Sequence, residues 1–253
     1  MDGRAAALCR IMAMATSTSS ERIEKQVVDA KAVRTTASGR WRTRHWAHLL
    51  LAGLTLIGGG LRFYDLGGKT LWLDEAFSVW LAHHGPLALI DWIARIDQHP
   101  PLYYLALSLW MRIFGDLPGA VRGLSALCST LTIPLFYLIA KRISHDRWSA
   151  LLATAILTLS PFHVRFAQEA RMYALLTLLA GGAIYGAIAF LQRSDGPTVQ
   201  ARDWLRPGTW RGNPAMGPAL TLALCQAAAM WTHNTAAVFL PLALNLPVLG
   251  SAV

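Results

Sequence analysis

Residues 123–140 read GLSALCSTLTIPLFYLIA, carry no formal charge and end at the basic pair Lys141-Arg142. Residues 172–192 read MYALLTLLAGGAIYGAIAFLQ and end in the same way, at Arg193. A helix that crosses a bilayer needs about 20 mostly apolar residues, with a range of about 17–25. Both stretches have that length, so they predict transmembrane helices and decide the fold class.

Further stretches on both sides have the apolar length of a span. Together with the first two, the predicted spans are residues 45–61, 119–140, 148–164, 172–192, 214–231 and 235–253. The polar tetrad Trp231-Thr232-His233-Asn234 is the predicted hinge between the last two. The chain ends inside its last apolar stretch, which predicts a truncated member of a larger protein.

Composition agrees with a membrane protein. Of the 253 residues, 54% are apolar and only 15% are charged, against roughly 25% charged in an average soluble domain. The net charge is +9, but the basic residues lie between apolar tracts, a pattern typical of membrane topology. We therefore expect no nucleic-acid partner. The cysteines Cys9, Cys128 and Cys225 form no CxxC pair, so neither a disulfide framework nor a zinc site is expected.

The distribution of Lys and Arg predicts the orientation in the membrane. Nine lie in residues 1–44, three in 141–147 and four in 193–211. Basic loops face the cytoplasm, so the chain is predicted to be a multi-pass protein of the cell (inner or plasma) membrane with its N-terminus in the cytoplasm. Residues 1–44 are rich in Ser, Thr and Ala and predict a disordered basic tail. Residues 45–253 form the transmembrane domain.

The same count leaves residues 62–118 as a long extracytoplasmic loop. Residues 75–83 and 86–96 have helical apolar patterns rich in Trp, which indicates amphipathic helices in the headgroup layer. Residues 98–111 are apolar but too short to cross, so a helix in the interface is expected there. The predicted fold class is all-α, a polytopic transmembrane helix bundle whose first extracytoplasmic loop is built from amphipathic helices.

Two adjacent carboxylates in this loop, Asp74 and Glu75, are the first candidates for chemistry. On a helix, successive side chains point about 100° apart, so only one of them is expected to face a given site. The alternative is that Asp74 caps the helix that follows.

A second candidate segment is Asp97-Gln98-His99-Pro100-Pro101, followed by Tyr103 and Tyr104. His99 and the tyrosines lie at the predicted membrane surface, where they can bind a phosphate or a sugar. The alternative is a simple helix boundary, because the proline pair forces an extended backbone and starts the next helix.

The third candidate is the short turn around residues 161–173, which carries His163, Arg165, Glu169 and Arg171. Charged groups at membrane depth are costly and indicate function; the alternative is that the arginines extend to the interface. Arg122, at the start of a span, is either an anchor or a phosphate ligand.

Three motifs together carry a resemblance to a known family. They are Leu-Trp-x-Asp-Glu at 71–75, His-Pro-Pro-Leu-Tyr-Tyr at 99–104 and Gln-Glu-Ala-Arg-Met-Tyr-Ala-Leu at 168–175. From about Trp41 to Asn234 the chain resembles the polyprenyl-phosphate-sugar glycosyltransferases of the GT-C fold. The nearest group is the bacterial RgtA/B/C/D-like branch, related to protein O-mannosyltransferases and the aminoarabinose transferase.

The resemblance implies a membrane enzyme that transfers a hexosyl or pentosyl group, with inversion, from a polyprenyl-phosphate donor to a glycan, lipid or protein acceptor. It implies that Asp74 is the catalytic base with Glu75 beside it. It implies that His99, Glu169 and Arg171 bind the substrate. The residue chemistry described above adds Tyr103, Arg165 and Arg122 as substrate-binding candidates. The sequence assigns no specific cofactor. A divalent metal ion is left open, with Glu169 as its candidate ligand, because Gln168-Glu169 stands where some relatives have an Asp-x-Asp pair.

Two functions from other classes remain open on the sequence. A lipid-linked sugar flippase or transporter subunit also has several spans and buried polar groups, and an inactive truncated scaffold has the same composition. A long, Trp-rich outer loop with a carboxylate pair favours the enzyme, because neither alternative needs it.

Overall fold

The computed structural model describes residues 45–96, 99–194 and 214–250, and all regular structure in these ranges is helical. The residues fall into two units, Met1–Leu49 and Leu50–Val253, and every contact reported below lies within the second. The predicted tail at 1–44 and most of the basic loop at 193–211 lie outside the described residues. The prediction of an all-α membrane bundle is confirmed.

The helices of the described ranges form the bundle and its outer loop. They are α1 (His45–Phe63), α2 (Leu73–Ala82), α3 (Pro86–Ile96), α4 (Leu102–Phe114), α5 (Pro118–Ser144), α6 (Arg147–Leu159), α7 (Pro161–Ala167), α8 (Tyr173–Ser194), α9 (Met216–Met230) and α10 (Asn234–Gly250).

Among the described residues, three helices are long and apolar enough to cross a membrane, namely α1, α5 and α8, and the pair α6 and α7 makes a fourth if it is one broken span. Helix α4 has 13 residues, or about 20 Å at 1.5 Å per residue, too short for the roughly 30 Å hydrocarbon core. Helix α9 is also short, and α10 contains two prolines. The last two predicted spans therefore stay predictions.

The predicted span at 148–164 is not one straight helix, because α6 and α7 meet at an angle of 57°. Pro161 has no N–H, so the hydrogen bonds of α6 cannot continue through it. Ser160 ends α6 and caps α7 by accepting a hydrogen bond from the backbone N–H of His163. The bend brings the side chains of α7 against α5 and α8.

Arg62 connects the end of α1 with α5, α6 and α7. It is wholly buried and donates to the Ser129 hydroxyl at 2.8 Å and to the carbonyl oxygens of Gly58 and Thr158. Its Nη2 lies 2.8 Å from Nδ1 of His163. Because a guanidinium can only donate, that Nδ1 accepts and the neutral ring carries its proton on Nε2.

Lys141 and Arg142, at the end of α5, lie far from Asp74 and Glu75, which lie beside the start of α5. Arg142, near the end of α5, donates to Gln192 and to the Tyr185 hydroxyl of α8. The Pro118 end of α5 lies about 35 Å away by helix rise, and there the chain places the carboxylates of the outer loop. This separation agrees with the predicted topology, whereas the orientation itself stays a prediction.

An apolar core holds the outer-loop helices on this second end. It is formed by buried side chains from α2, α3, α4, the start of α5 and the segment before α8, namely Leu81, Leu89, Tyr103, Tyr104, Leu107, Val121 and Met172. Because burial of large apolar side chains contributes about 1.5–3 kcal/mol each, this core fixes where α2 presents its first turn.

Candidate active site

The first turn of α2 holds Asp74 and Glu75, and Glu75 closes its N-terminus. The N–H of Trp72 donates to Oε2 of Glu75 at 3.3 Å, which satisfies one of the backbone donors that a helix start leaves open. Asp74 is the second residue of the helix, so it is not the cap. The two carboxylates point in different directions, as the helix geometry requires.

Glu75 is completely buried in an ion pair with Arg122. Arg122 donates from Nε to Oε1 at 2.9 Å and from Nη2 to Oε2 at 2.6 Å, and the N–H of Ala170 donates to Oε1 at 2.8 Å. Burial by itself raises the pKa of Glu75, but the hydrogen bonds from Arg122, Ala170 and Trp72 and the charge of Arg122 outweigh it and hold the pKa below its ordinary value. Such a two-pronged pair is strong and directional.

Arg122 has no donor left for a phosphate. Besides Glu75, its guanidinium donates to the carbonyl oxygens of Leu66, Lys69 and Thr70. These contacts occupy all five of its N–H groups. The expected role as a phosphate ligand therefore does not fit this geometry, and Arg122 instead holds residues 66–70 against α2.

Asp74 pairs with a different arginine. Its Oδ2 lies 3.2 Å from Nη1 of Arg171, and its side chain is 42% exposed whereas that of Arg171 is 12% exposed. Burial lowers the pKa of Arg171. A hydrogen bond to Tyr173 and the charge of Asp74 raise it by more, so the pKa lies above its ordinary value. The guanidinium carbon also lies 5.7 Å from the centre of the Tyr173 ring, which favours the cation.

Two histidines complete this group. The rings of His99 and His233 lie 5.4 Å apart, and Tyr173 lies 6.2 Å from His233. The N–H of Leu102 donates to the carbonyl of Trp231, which holds the two histidine segments together. Burial, and then the nearby His99 and Arg171, lower the pKa of His233. The Thr235 N–H donates to His233 Nδ1 at 3.1 Å, so the neutral ring carries its proton on Nε2.

Tyr103, expected as a binding residue, is buried in the apolar core. Its hydroxyl and Nε of Arg171 are the two buried side-chain atoms of the described residues without a hydrogen-bond partner. An unpaired buried donor is costly, and such groups call for an explanation. Both belong to the surroundings of the Asp74–Arg171 pair.

Two cavities flank the segment 168–173. An apolar groove of about 450 Å³ is lined by Ser129, Phe162, His163, Phe166, Ala167, Tyr173, Ala174, Leu176 and Thr177. A polar cleft of about 640 Å³ is lined by Tyr64, Asp65, Leu66, Lys69, Thr70, Trp72, Glu75, Arg122, Arg165, Gln168 and Glu169. Glu169 therefore lines the cleft and Tyr173 the groove, while Arg171 between them pairs with Asp74.

Glu169 and Arg165 form an ion pair at 3.3 Å in the polar cleft. The described residues contain no group of three or more His, Cys, Asp or Glu side chains that could hold a metal ion. Since the Glu169 carboxylate is also engaged by Arg165, these residues do not fit a divalent ion held by the protein alone. No step is therefore assigned to a metal.

The structure thus divides the residues predicted from the sequence. Asp74 pairs with Arg171, and His99 packs against His233, whose pKa is lowered by burial and by the charge of Arg171. Glu169 and Arg165 pair in the polar cleft. Glu75, Arg122 and Tyr103 are buried. Sequence reasoning missed Asp65 and Lys69 in the cleft, because no motif marks them. Trp72 and Gln168 also line the cleft. Both lie inside the motifs at 71–75 and 168–175, so the sequence could have identified them as candidate site residues.

Comparison with known proteins places the chain in a family. Residues 98–244 match the family described as dolichyl-phosphate-mannose-protein mannosyltransferase. An uncharacterized protein of Aquifex aeolicus (strain VF5) is 31% identical over 117 residues, which cover 44% of this chain and 23% of that protein. The match thus spans less than a quarter of that relative. No solved structure matches the chain. Because the family match covers more than half of the residues, the chain belongs to the dolichyl-phosphate-mannose-protein mannosyltransferase family, a family of GT-C-type membrane glycosyltransferases.

Proposed function

We propose that this chain transfers a sugar, with inversion, from a polyprenyl-phosphate donor to an acceptor hydroxyl on the outer side of the cell membrane. The observation that carries the proposal is the Asp74–Arg171 pair. It joins a part-exposed carboxylate to a cation at 3.2 Å, at the bundle end remote from Lys141 and Arg142. A proton acceptor and a fixed positive charge are the two groups that this reaction needs.

Asp74 is the base in this proposal. Its carboxylate takes the proton of the acceptor hydroxyl while the hydroxyl oxygen forms a bond to the anomeric carbon. The bond from that carbon to the phosphate oxygen breaks, and its electron pair leaves with the polyprenyl phosphate. The phosphate leaves without a proton, so one carboxylate suffices, in contrast to the paired acids of glycosidases. A single displacement inverts the anomeric centre.

The apolar groove supports a lipid-linked donor. Its lining is mostly aromatic and aliphatic, with Phe162, Phe166 and Leu176 suited to an isoprenoid chain. Tyr173 belongs both to this groove and to the cluster of Arg171 and His233. A chain in the groove therefore brings its phosphate to the Arg171 cation, which offsets the charge that develops on the leaving group.

Glu75 and Arg122 act as positioning residues in this proposal. Their pair joins α2 to α5 and holds residues 66–70 in place. A carboxylate that has no exposed surface and accepts four hydrogen bonds from the protein is unsuited to proton transfer with an acceptor. We therefore assign proton transfer to Asp74 alone.

Membranes that contain the chain, incubated with radiolabelled polyprenyl-phosphate sugars, test the proposal. Asp74→Asn should lower transfer by about 10²–10⁴-fold, with the membrane fraction of the chain unchanged. Asp91→Asn is the matched control, because Asp91 is an exposed acid of the same outer loop that pairs only with Arg95 in the described contacts. Full transfer by Asp74→Asn removes Asp74 from the role, and donor movement across the membrane without transfer favours the flippase.

A further inference from the structure

The polar cleft has large aromatic side chains at its surface. Tyr64 is 76% exposed and Trp72 is 48% exposed, and both line the cleft. Aromatic rings present a broad apolar face with a polar tip. The faces of sugar rings carry C–H groups and their edges carry hydroxyls, so exposed aromatic rings beside polar groups suit a carbohydrate.

The charges that line the cleft balance. It has three carboxylates and three cations, namely Asp65, Glu75, Glu169, Lys69, Arg122 and Arg165. Two of the carboxylates are already paired, Glu75 with Arg122 and Glu169 with Arg165. A phosphate or another strongly charged ligand gains little in such a site, because no net charge attracts it. An uncharged polar ligand is not disfavoured.

Hydrogen-bonding groups remain in the cleft for hydroxyls. Gln168 uses its Nε2 to donate to the carbonyls of Leu61 and Tyr64, which directs its Oε1 to other donors. The Asp65 carboxylate accepts and the Lys69 ammonium donates. Hydroxyl groups do both, so a sugar can match this mixed set.

The walls of the cleft are held in place before a ligand arrives. Arg122 binds the carbonyls of residues 66, 69 and 70. Asp65 adopts a left-handed φ of 52°, and its carboxylate lies against Gly68 so closely that a Cβ there would clash with it. Fixed groups lose little entropy on binding, so this loop is built as a site rather than as a random surface turn.

We propose that the polar cleft binds an uncharged carbohydrate, which is the acceptor of the transfer, with its rings against Trp72 and Tyr64. Calling this carbohydrate the acceptor rests on the proposed function; the binding itself does not. Trp72 lines the cleft and Asp74 follows two residues later in the first turn of α2, so a carbohydrate seated against Trp72 lies beside the turn that carries the proposed base. The donor then approaches from the apolar groove on the other side of residues 168–173.

Binding of the chain in lipid nanodiscs to an array of uncharged and anionic oligosaccharides tests this proposal. We expect uncharged oligosaccharides to bind, and Trp72→Ala to weaken their binding at least tenfold. Trp80→Ala is the matched control, because Trp80 is a similarly exposed tryptophan that packs against Trp92 outside the cleft. Gly68→Ala provides a second variant, which displaces only the Asp65 carboxylate and should also weaken binding. Thermal unfolding of each variant shows whether it is folded.

The results separate the site from the reaction. Asp74→Asn should retain binding, because the residues that line the cleft are unchanged and the amide can still hydrogen-bond a hydroxyl at the edge of the cleft. If the unchanged chain binds uncharged oligosaccharides at the cleft but transfers no sugar, the proposed function is contradicted and the sugar site is supported. Binding that prefers anionic oligosaccharides, or that is equal in folded Trp72→Ala, Gly68→Ala and the unchanged chain, overturns the sugar site.

Discussion

Asp74 and Glu75 are neighbours in the chain, yet their carboxylates bind different arginines, Arg171 at 3.2 Å and Arg122 at 2.6 Å. The first carboxylate is 42% exposed and the second is fully buried. One helix turn therefore presents a carboxylate to the surface and inserts another into the protein. Their substitution should accordingly affect different properties of the protein.

Glu75→Gln should destabilise the protein by about 3–5 kcal/mol, because it leaves Arg122 as a buried charge without its partner. Chemical or thermal unfolding in detergent measures this loss. Asp91→Asn is the control, since its pair with Arg95 is exposed and worth about 0–1 kcal/mol. Equal stability losses in the two variants would contradict the structural role of Glu75.

Arg171→Gln should lower the rate of transfer by about 10²–10³-fold, the typical effect of removing one group that stabilises a developing negative charge. Arg171→Lys keeps the charge and should recover part of the rate. Steady-state transfer rates at saturating donor distinguish the variants, with Arg95→Gln as an exposed control in the outer loop. If Arg171→Gln matched that control, the leaving phosphate would have to lie elsewhere.

Acid should loosen the turn between α9 and α10 through His233. The folded protein holds the pKa of His233 below its ordinary value, which is about 6.5 in the unfolded chain. The unfolded state therefore binds more protons as the pH falls below about 6.5, so stability is full above that pH and declines toward the folded pKa. Protonation of Nδ1 also removes the acceptor of the Thr235 N–H.

The melting temperature measured between pH 7.5 and pH 5 checks this expectation. The unchanged chain should lose more stability over this range than His233→Gln, because the amide oxygen accepts the Thr235 N–H at every pH. All other histidines are the same in both proteins. Parallel pH curves would remove His233 as the cause.

Gly186→Ala should separate α8 from α9 and destabilise the bundle by about 1–3 kcal/mol, the usual cost of overpacking. A Cβ at this position would lie 2.9 Å from the Leu222 Cα and from the Pro218 carbonyl oxygen, which are backbone atoms that cannot turn away. Gly53→Ala is the control, because nothing lies within 4 Å of its Cβ. It should be neutral or stabilising, since alanine is the better helix former. If Gly53→Ala unfolded at a lower temperature than Gly186→Ala, the close contact between α8 and α9 at Gly186 would be contradicted.

The candidate site could be predicted only in part. The motifs contain Asp74 and Arg171, which form a pair in the structure, and His99, which packs against His233. Arg122 does not fit the expected role as a phosphate ligand, because Glu75 and the carbonyls of residues 66, 69 and 70 occupy its donors. The sequence did not reveal these contacts, because the partners lie about 50 positions away in the chain. Similarly, the apolar length of residues 148–164 predicted one straight span. Pro161 lacks the N–H that would continue α6, and the helix bends there.

The sequence by itself determined that the chain is a helical membrane protein and which tracts form α1, α5 and α8. The physical reason is that a helix satisfies its backbone hydrogen bonds locally and lipid demands only apolar length. Only the tertiary structure decided that Asp74 is part-exposed whereas Glu75 is buried, and it forms the cleft and the groove beside residues 168–173. The exposure of the two carboxylates and the shapes of the two cavities depend on contacts between segments that are far apart in the chain. Neither composition nor the spacing of motifs specifies those contacts.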